Sequence, residues 1–565
     1  MDTSQLSLSS TRIGPLPIVN HFVEHLEIEA LLDRFVPTAD CRVKLPYAKA
    51  LGVLLRSILV EREPIYSQHE TVEAFSPECF GLGKGELKHL GDDRIGRALD
   101  RLFESDRGTM LTALAVTTVK KCGLCLDQMH TDATSVSFSG QYKAAGGRMI
   151  NGKRAPRITL GYSKDHRPDL KQLLLEFSIA ADGSVPLRFR CVDGNGNEDG
   201  LHIATWETLC SVAGRRDFLY VADTKLCSRT NMNYIDRHGG RFLTTMPSGR
   251  LEYKEFMEWI QNHNPDWIEV WHRTNTRYVD APPDIWAVFR YGVPSSEGWP
   301  VTWVFNSTLA ASHQKRRRTQ IAAAVKEFER IQGMLRGKRR RPRTLHDLNK
   351  RVAGVLSHYG VSRYVVPQTS EHFEDTYIQD RGGRAGSNTK YHRIPRDHLT
   401  LSWTIDDEAV RCDAKMDGLY PLLTNDASLT PEQTLVAHKG QPRIEKRFQQ
   451  VKDVFEIAPV FLKSEARIEA FFTIFFMAMV VQAVMERRLR RSMDRRNIDA
   501  LPLYSERRPC KQPTADRILK LFTHVQRHHL QDGDRQIRTF EPELTPLQTQ
   551  TLELLGMSPA AYAAA

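Results

Sequence analysis

Residues 464–491, SEARIEAFFTIFFMAMVVQAVMERRLRR, are apolar almost all the way round until the last turns, where charges crowd in from Glu486 to Arg491. A helix with no polar face has to be covered on every side. A bilayer could cover it, but the apolar run from Ala470 to Met485 falls short of the ~20 residues that a span needs, and Gln482 interrupts it. The stretch is therefore expected to lie deep in the protein against a sheet, with no membrane involved. The remaining chain must supply that sheet.

The strands that could do so begin near Leu126, where a helical period gives way to alternation. Upstream, from Ile18 to about Thr118, LGVLLRSILVERE and RIGRALDRLFE carry apolar residues at spacings of three and four and predict a helical N-terminal region. LDQMHTDATSVSF then alternates and is rich in Thr, Ser and Val, as a strand is. Asp132 stands in its middle, where a charge is costly unless it is paired or binds a metal. Asp127 lies five residues away and faces the opposite side of a regular strand, so only one of the two can serve a site. QLLLEFSIAA and VPLRFRCV follow, joined by Asp182-Gly183, a strong hairpin signal. After the helical segment GLHIATWETLC comes a buried-looking strand in DFLYVADTK, with Asp223 at its C-terminal end, the edge where open α/β sheets place their sites. A helix in SRTNMNYIDRHG and a strand in RFLTTMP complete the series. Leu126 to Pro247 thus reads as three antiparallel strands, a helix, a strand, a helix and a strand. The charged loop GYSKDHRPDLKQ offers Lys164, Arg167 and Lys171 to a phosphate, or is a solvated turn.

A second amphipathic helix lies in HKGQPRIEKRFQQVKDVFEIAPVF, residues 438–461, where Ile444, Phe448, Val451 and Phe455 form one apolar stripe. Pro442 suits its first turn and Pro459 its end. Glu445 and Lys452 are seven residues apart, two turns or roughly 10 Å along one face. On spacing alone they are a solvated surface pair or two groups of one site.

The E-x6-K helix, reached through Ile-Glu and followed by an apolar helix, resembles the third-acid helix of bacterial insertion-sequence DDE transposases with the signature Y-x2-R-x3-E-x6-K. Glu445 and Lys452 fit that signature. His438 stands where the family has Tyr and Gln441 where it has Arg, while Arg443 places a cation two residues before the acid. The loop GYSKDHRPDLKQ is similar to the same group, where it follows the first acid. The resemblance implies an α/β fold with an RNase H-like core, a mixed five-stranded sheet with flanking helices, interrupted by an α+β insertion and preceded by a helical N-terminal domain. The expected boundaries are 1–120 for the helical DNA-binding domain, 121–247 and 431–492 for the two parts of the core, 248–430 for the insertion, and 493–565 for a C-terminal helical region.

It further implies that Asp132, Asp223 and Glu445 are both catalytic and metal-binding, gathered to hold two Mg²⁺ or Mn²⁺ ions. The chemistry is consistent with that set: in-line attack on a phosphodiester needs positive charge beside both the attacking and the leaving oxygen, and Mg²⁺ prefers a few carboxylates plus water and phosphate. The expected activity is cleavage of double-stranded DNA at the terminal inverted repeats of an insertion sequence, followed by attack of the 3′-OH on target DNA in a synaptic homodimer. Lys452 then binds a phosphate. The departures at His438 and Gln441 put a hairpin intermediate in question. Two rival classes stay open, a transposase-derived DNA-binding protein without catalysis and an RNase H-like nuclease that does not join strands.

The interval from Pro247 to about Thr430 is too long for a connection. It holds its own helix in QIAAAVKEFERIQGML and a strand-rich tail, LTLSWTIDDEAVRCDAKMDGLYPLLTND, with hairpin-like turns at Asp406-Asp407 and Asp417-Gly418. Two basic clusters, KRRR at 315–318 and RGKRRRPR at 336–343, present Lys315, Arg316, Arg317, Arg339 and Arg340 as a track for a phosphate backbone, the alternative being a solvated run. Trp267 and Trp271 are read as core or strand-pair residues. At 565 residues, with a net charge of +11, the chain favours a polyanion partner. Nine scattered cysteines make no disulfide framework, and the lone C-x2-C at Cys122 and Cys125 lacks the second pair that zinc needs. With no basic segment leading into an apolar one at the N-terminus, a bacterial cytoplasmic, nucleoid-associated setting is expected.

Overall fold

A computed structural model describes residues 6–563 except for 141, 143–144, 165–166, 197–199, 275–281, 338–341, 441–443, 450–461, 505 and 533–534, and except for the side chains of 395–397. The chain forms two compact units, Met1–Thr244 with Val436–Ala565, and Thr245–Leu435.

In the first unit five strands make the sheet that positions the site: β1 (Gln128–Phe138), β2 (Lys171–Ala180), β3 (Pro186–Asp193), β4 (Leu219–Ala222) and β5 (Arg241–Thr245). Their spatial order is β3-β2-β1-β4-β5. The first three pair antiparallel, whereas β4 runs parallel to β1 and β5 parallel to β4. Helices His202–Ala213 and Arg229–Arg237 make the two crossovers that parallel neighbours require. This is the series expected for 126–247. The Asp182-Gly183 turn closes β2 onto β3 with Gly183 at φ 75°. A Cβ there would lie 2.6 Å from Cδ of Arg487. Glycine is needed on both counts, backbone and space.

The apolar stretch forms one helix of 31 residues, Glu465–Arg495. By length and composition it could cross a membrane, but 94% of its most apolar window is buried inside the protein. Its aromatic face meets the sheet, with Phe476 6.2 Å from Phe177 of β2 and Phe472 6.4 Å from Phe189 of β3. Several of its charges are matched rather than solvated. Arg467 donates to Asp100 at 2.7 and 2.8 Å and Arg107 donates to Glu469 at 2.9 Å, which fastens helices Asp92–Glu104 and Arg107–Cys122 to it. Arg487 donates to both oxygens of Asp182 and to the carbonyls of Cys122 and Gly123.

The ends of the chain depart from the expected all-helical regions. Leu6–Arg12 is a strand that pairs antiparallel with Gln526–Asp532, which pairs in turn with Arg535–Phe540. Neither 1–120 nor 493–565 is therefore purely helical. The partners stand at opposite ends of the sequence and are only partly buried, so no local apolar pattern announces the pairing.

The second unit has a four-stranded antiparallel arrangement in the order Leu419–Thr424, Val301–Asn306, Asp284–Tyr291, Ile268–Arg273. It also has a 30-residue helix, Ser307–Arg336, and the helix Leu345–Tyr359. The latter two pack with the hairpin Val365–Gln379/Tyr391–Ile405 around Phe328, Val352 and Leu401. Asp406-Asp407 is not a hairpin turn. Asp406 caps helix Asp407–Ala414, accepting from the Ala409 N–H at 2.9 Å, which is the other structure that an Asp before a helical run favours. Asp417-Gly418 does turn the chain, with Gly418 at φ 77°. Trp271 lies 6.4 Å from Trp286 on the neighbouring strand, as a strand-pair residue should.

Candidate active site

Asp132 lies in the middle of β1, its side chain 21% exposed. Thr131 pairs with Ala222 in the parallel β1–β4 register, and the next residue on each strand is Asp132 on one and Asp223 on the other. Asp223 keeps an extended backbone, φ −71° and ψ −171°, so it continues the strand for one more residue before the turn Thr224–Leu226. In-register residues on adjacent strands are about 4.8 Å apart and project from the same face. The two aspartates are therefore neighbours at the edge where β4 ends. Asp223 accepts from the Lys225 N–H at 3.1 Å. Asp132 accepts from the Ala133 N–H at 2.7 Å, and Nζ of Lys164 stands 3.7 Å from its Oδ1. The charged loop after the first acid thus delivers one of its three cations to the site. The other two have local partners, Arg167 pairing with Asp169 at 2.8 Å and Lys171 donating to the Tyr142 carbonyl at 3.3 Å.

The face that carries Asp132 is also the face that the late helix covers. Gln128 and His130 share it by strand alternation. Gln128 donates to the Ala437 carbonyl at 2.9 Å, and a Cβ on Gly440 would lie 2.4 Å from Nε2 of His130. Phe177, the register partner of Asp132, lies 5.7 Å from Phe448, the two rings tilted by 60°. Residues 444–449 are helical, with Ile444 and Phe448 buried and Glu445 and Lys446 exposed. Arg447 is turned inward, donating to the Ser184 carbonyl at 3.1 Å and to Glu486 at 3.0 Å, which ties this helix to the β2–β3 turn and to the long core helix. Sequence reasoning passed over Arg447. Its place between Ile444 and Phe448 on the apolar stripe was the available signal.

All three acids thus belong to elements on one face of the sheet. Asp132 and Asp223 are half-buried carboxylates on adjacent strands, hard oxygen donors of the kind that Mg²⁺ takes, so this pair suits a divalent ion. Among the described residues no three His, Cys, Asp or Glu groups converge closely enough to hold a metal. Arg443 and Lys452 lie outside the described residues, as do Arg339 and Arg340. His438, at the position of the signature Tyr, ends helix Pro431–His438. Burial pushes its pKa down to about 4, with positive charge at Lys439 and His130 adding to the effect.

Of the first basic cluster, Lys315 and Arg316 are exposed on helix Ser307–Arg336. Arg317 is not available to a phosphate track. It donates to Asp417 at 3.0 Å with 11% and 5% of the two side chains exposed, and its guanidinium lies 5.7 Å from the Tyr364 ring. Four consecutive cations on a helix cannot share one face, and the helical period sends this one inward. Cys122 lies 3.9 Å from Nε2 of His25, whereas Cys125 donates to Asp127 at 3.1 Å, so the C-x2-C pair diverges.

A family model described as a domain of unknown function, DUF4277, matches residues 8–116. No curated protein matches the chain. Among solved structures, the chain is similar to a cryo-EM structure of the piggyBac transposase synaptic complex with hairpin DNA, at 12% identity and a TM-score of 0.28, over 53% of this chain and 60% of that one.

Proposed function

We propose that the chain is a DDE transposase, built on an RNase H-like core, that cleaves DNA at the inverted repeats of an insertion sequence and joins the freed end to target DNA as a dimer in the bacterial cytoplasm. The observation that carries this reading is the placing of Asp132 and Asp223 as register neighbours on parallel strands, with the Glu445 helix over the same face. The resemblance of residues 438–461 to the third-acid helix supports it. Asp132, Asp223 and Glu445 are the residues that would hold Mg²⁺ or Mn²⁺. Bound there, such ions supply positive charge to the attacking and leaving oxygens of a phosphodiester. Lys164, beside Asp132, meets a non-bridging oxygen of the scissile phosphate. Arg447, through Ser184 and Glu486, fixes the azimuth of the late helix so that Glu445 projects from its other side. Lys452, Arg443, Lys315 and Arg316 bind backbone phosphates. In this reading Glu445 completes the carboxylate set with the two aspartates.

That no three such groups converge among the described residues favours a second reading, DNA binding without catalysis. Incubation with Mg²⁺ and a labelled duplex carrying the terminal repeat distinguishes the classes by joined product, cleaved product or complex alone. Asp132→Asn and Asp223→Asn are expected to lower cleavage and joining by at least about 100-fold, while the melting temperature and the affinity for the duplex hold. Undiminished strand transfer in either variant would remove the site from those positions.

A further inference from the structure

Apart from the two aspartates, the first unit holds a cavity of about 480 Å³ beside the C-terminal turns of the long core helix. That is within the ~300–1,000 Å³ range of sites for small ligands. Its lining includes Lys121 and four arginines, at 487, 488, 491 and 495, against one carboxylate, Asp494. Positions 488, 491 and 495 follow one another at spacings of three and four, so they form a single stripe on the rod. Their partners differ in a way that sorts them. Arg487 is consumed by Asp182 and by two carbonyls. Lys121 pairs with Glu27 at 2.5 Å, and Arg491 reaches Asp182 at 3.3 Å with half of its side chain exposed. Arg495 bonds the Arg491 carbonyl and Ser492. Arg488, half-buried, has neither a carboxylate nor a hydrogen-bond acceptor among the described residues.

An arginine in that position loses water without gaining an anion, a costly arrangement in a folded chain. The fold makes space for it, since a Cβ on Gly556 would lie 2.4 Å from its guanidinium. The surplus charge is felt next door. His25, on the cavity wall, and His21, stacked 6.3 Å from it, are held below the ordinary histidine range by burial and then by Arg488. Nε2 of His21 is buried with no hydrogen-bond partner.

We propose that this cavity is a phosphate-binding site in which Arg488 is the principal ligand, with Arg491 and Arg495 completing a three-arginine cradle. Guanidinium forks match phosphate oxygens, and an anion would satisfy the charge that the protein leaves uncompensated. The phosphate is either a free one or one link of a DNA backbone. The site stands apart from the chemistry at Asp132 and does not depend on it.

Two measurements on the full chain without divalent metal separate the sources, each with wild type, Arg488→Ala and Arg488→Lys. In the first, inorganic phosphate is titrated and the melting temperature followed. A free-phosphate site raises it in wild type, weakly in Arg488→Lys and not in Arg488→Ala. In the second, affinity for a duplex is measured against salt. A backbone contact makes the slope of log K against log salt shallower by about 1 in Arg488→Ala. Either result supports the site and names its ligand. Should Arg488→Ala fold poorly, Arg495→Ala, on the exposed end of the stripe, takes its place in both arms. Variants indistinguishable from wild type in both arms would overturn the proposal.

Discussion

Arg316 and Arg317 adjoin in the sequence and have opposite fates. Replacing Arg317 by Ala strands the Asp417 carboxylate in a nearly closed environment, and loss of one partner of such a pair costs about 3 kcal/mol or more. Arg316→Ala, at an exposed position, should change stability by less than about 0.5 kcal/mol and lower duplex affinity instead. Chemical denaturation of the two variants beside a binding titration checks both halves, and an equal loss of stability in the two would refute the assignment. Single residues were legible in the sequence where a rule of burial was being broken. Asp132 stands out as a charge inside a strand and Asp223 as an acid at the C-terminal edge of an apolar one, and the register makes them neighbours. Arg317 broke no visible rule. Which member of a basic run turns inward depends on a carboxylate 100 residues later, and helical phase against a distant partner is not written in the run itself.

At the scale of elements, the β2–β3 turn and the late helix are locked to the same rod. Gly183→Ala imposes a left-handed backbone on a side chain and drives its Cβ into Arg487, with an expected cost of about 2 kcal/mol. A melting curve would register this as a drop of several degrees, and an unchanged midpoint would mean that the turn has other room. The helix Pro431–His438 carries a pH dependence. The His438 pKa in the folded chain is about 4, below the ordinary value near 6.5, so the unfolded chain takes up the proton first. Its contribution to stability is whole above about pH 6.5 and is lost progressively as pH falls toward 4. His438→Gln should flatten that portion of the wild-type profile of melting temperature against pH, and superimposable profiles would exclude the residue as its source. The sequence announced the five core strands and both crossovers because periods of two and three to four alternate cleanly there. It did not announce the Leu6–Arg12 strand, whose partner lies at the far end of the chain, and Asp406 carried a signal common to turns and helix caps that only the following residues decide.

Across the whole molecule the reach of Glu465–Arg495 governs what can be taken apart. The N-terminal helices grip it through Asp100 and Arg107, the hairpin through Asp182, the Glu445 helix through Arg447, and the C-terminal region through the Ala515 N–H and the Pro513 carbonyl. One rod thus serves as the common wall of all these parts. A chain lacking residues 1–120 would uncover a strip of Phe, Ile, Met and Val along this helix and should aggregate or require detergent, as size-exclusion chromatography would reveal. A soluble, monodisperse remainder would contradict that dependence. The N-terminal region is consequently no detachable tether. It forms part of the housing of the rod on which the acid-bearing sheet rests, and evolution could alter the one only within tolerances set by the other.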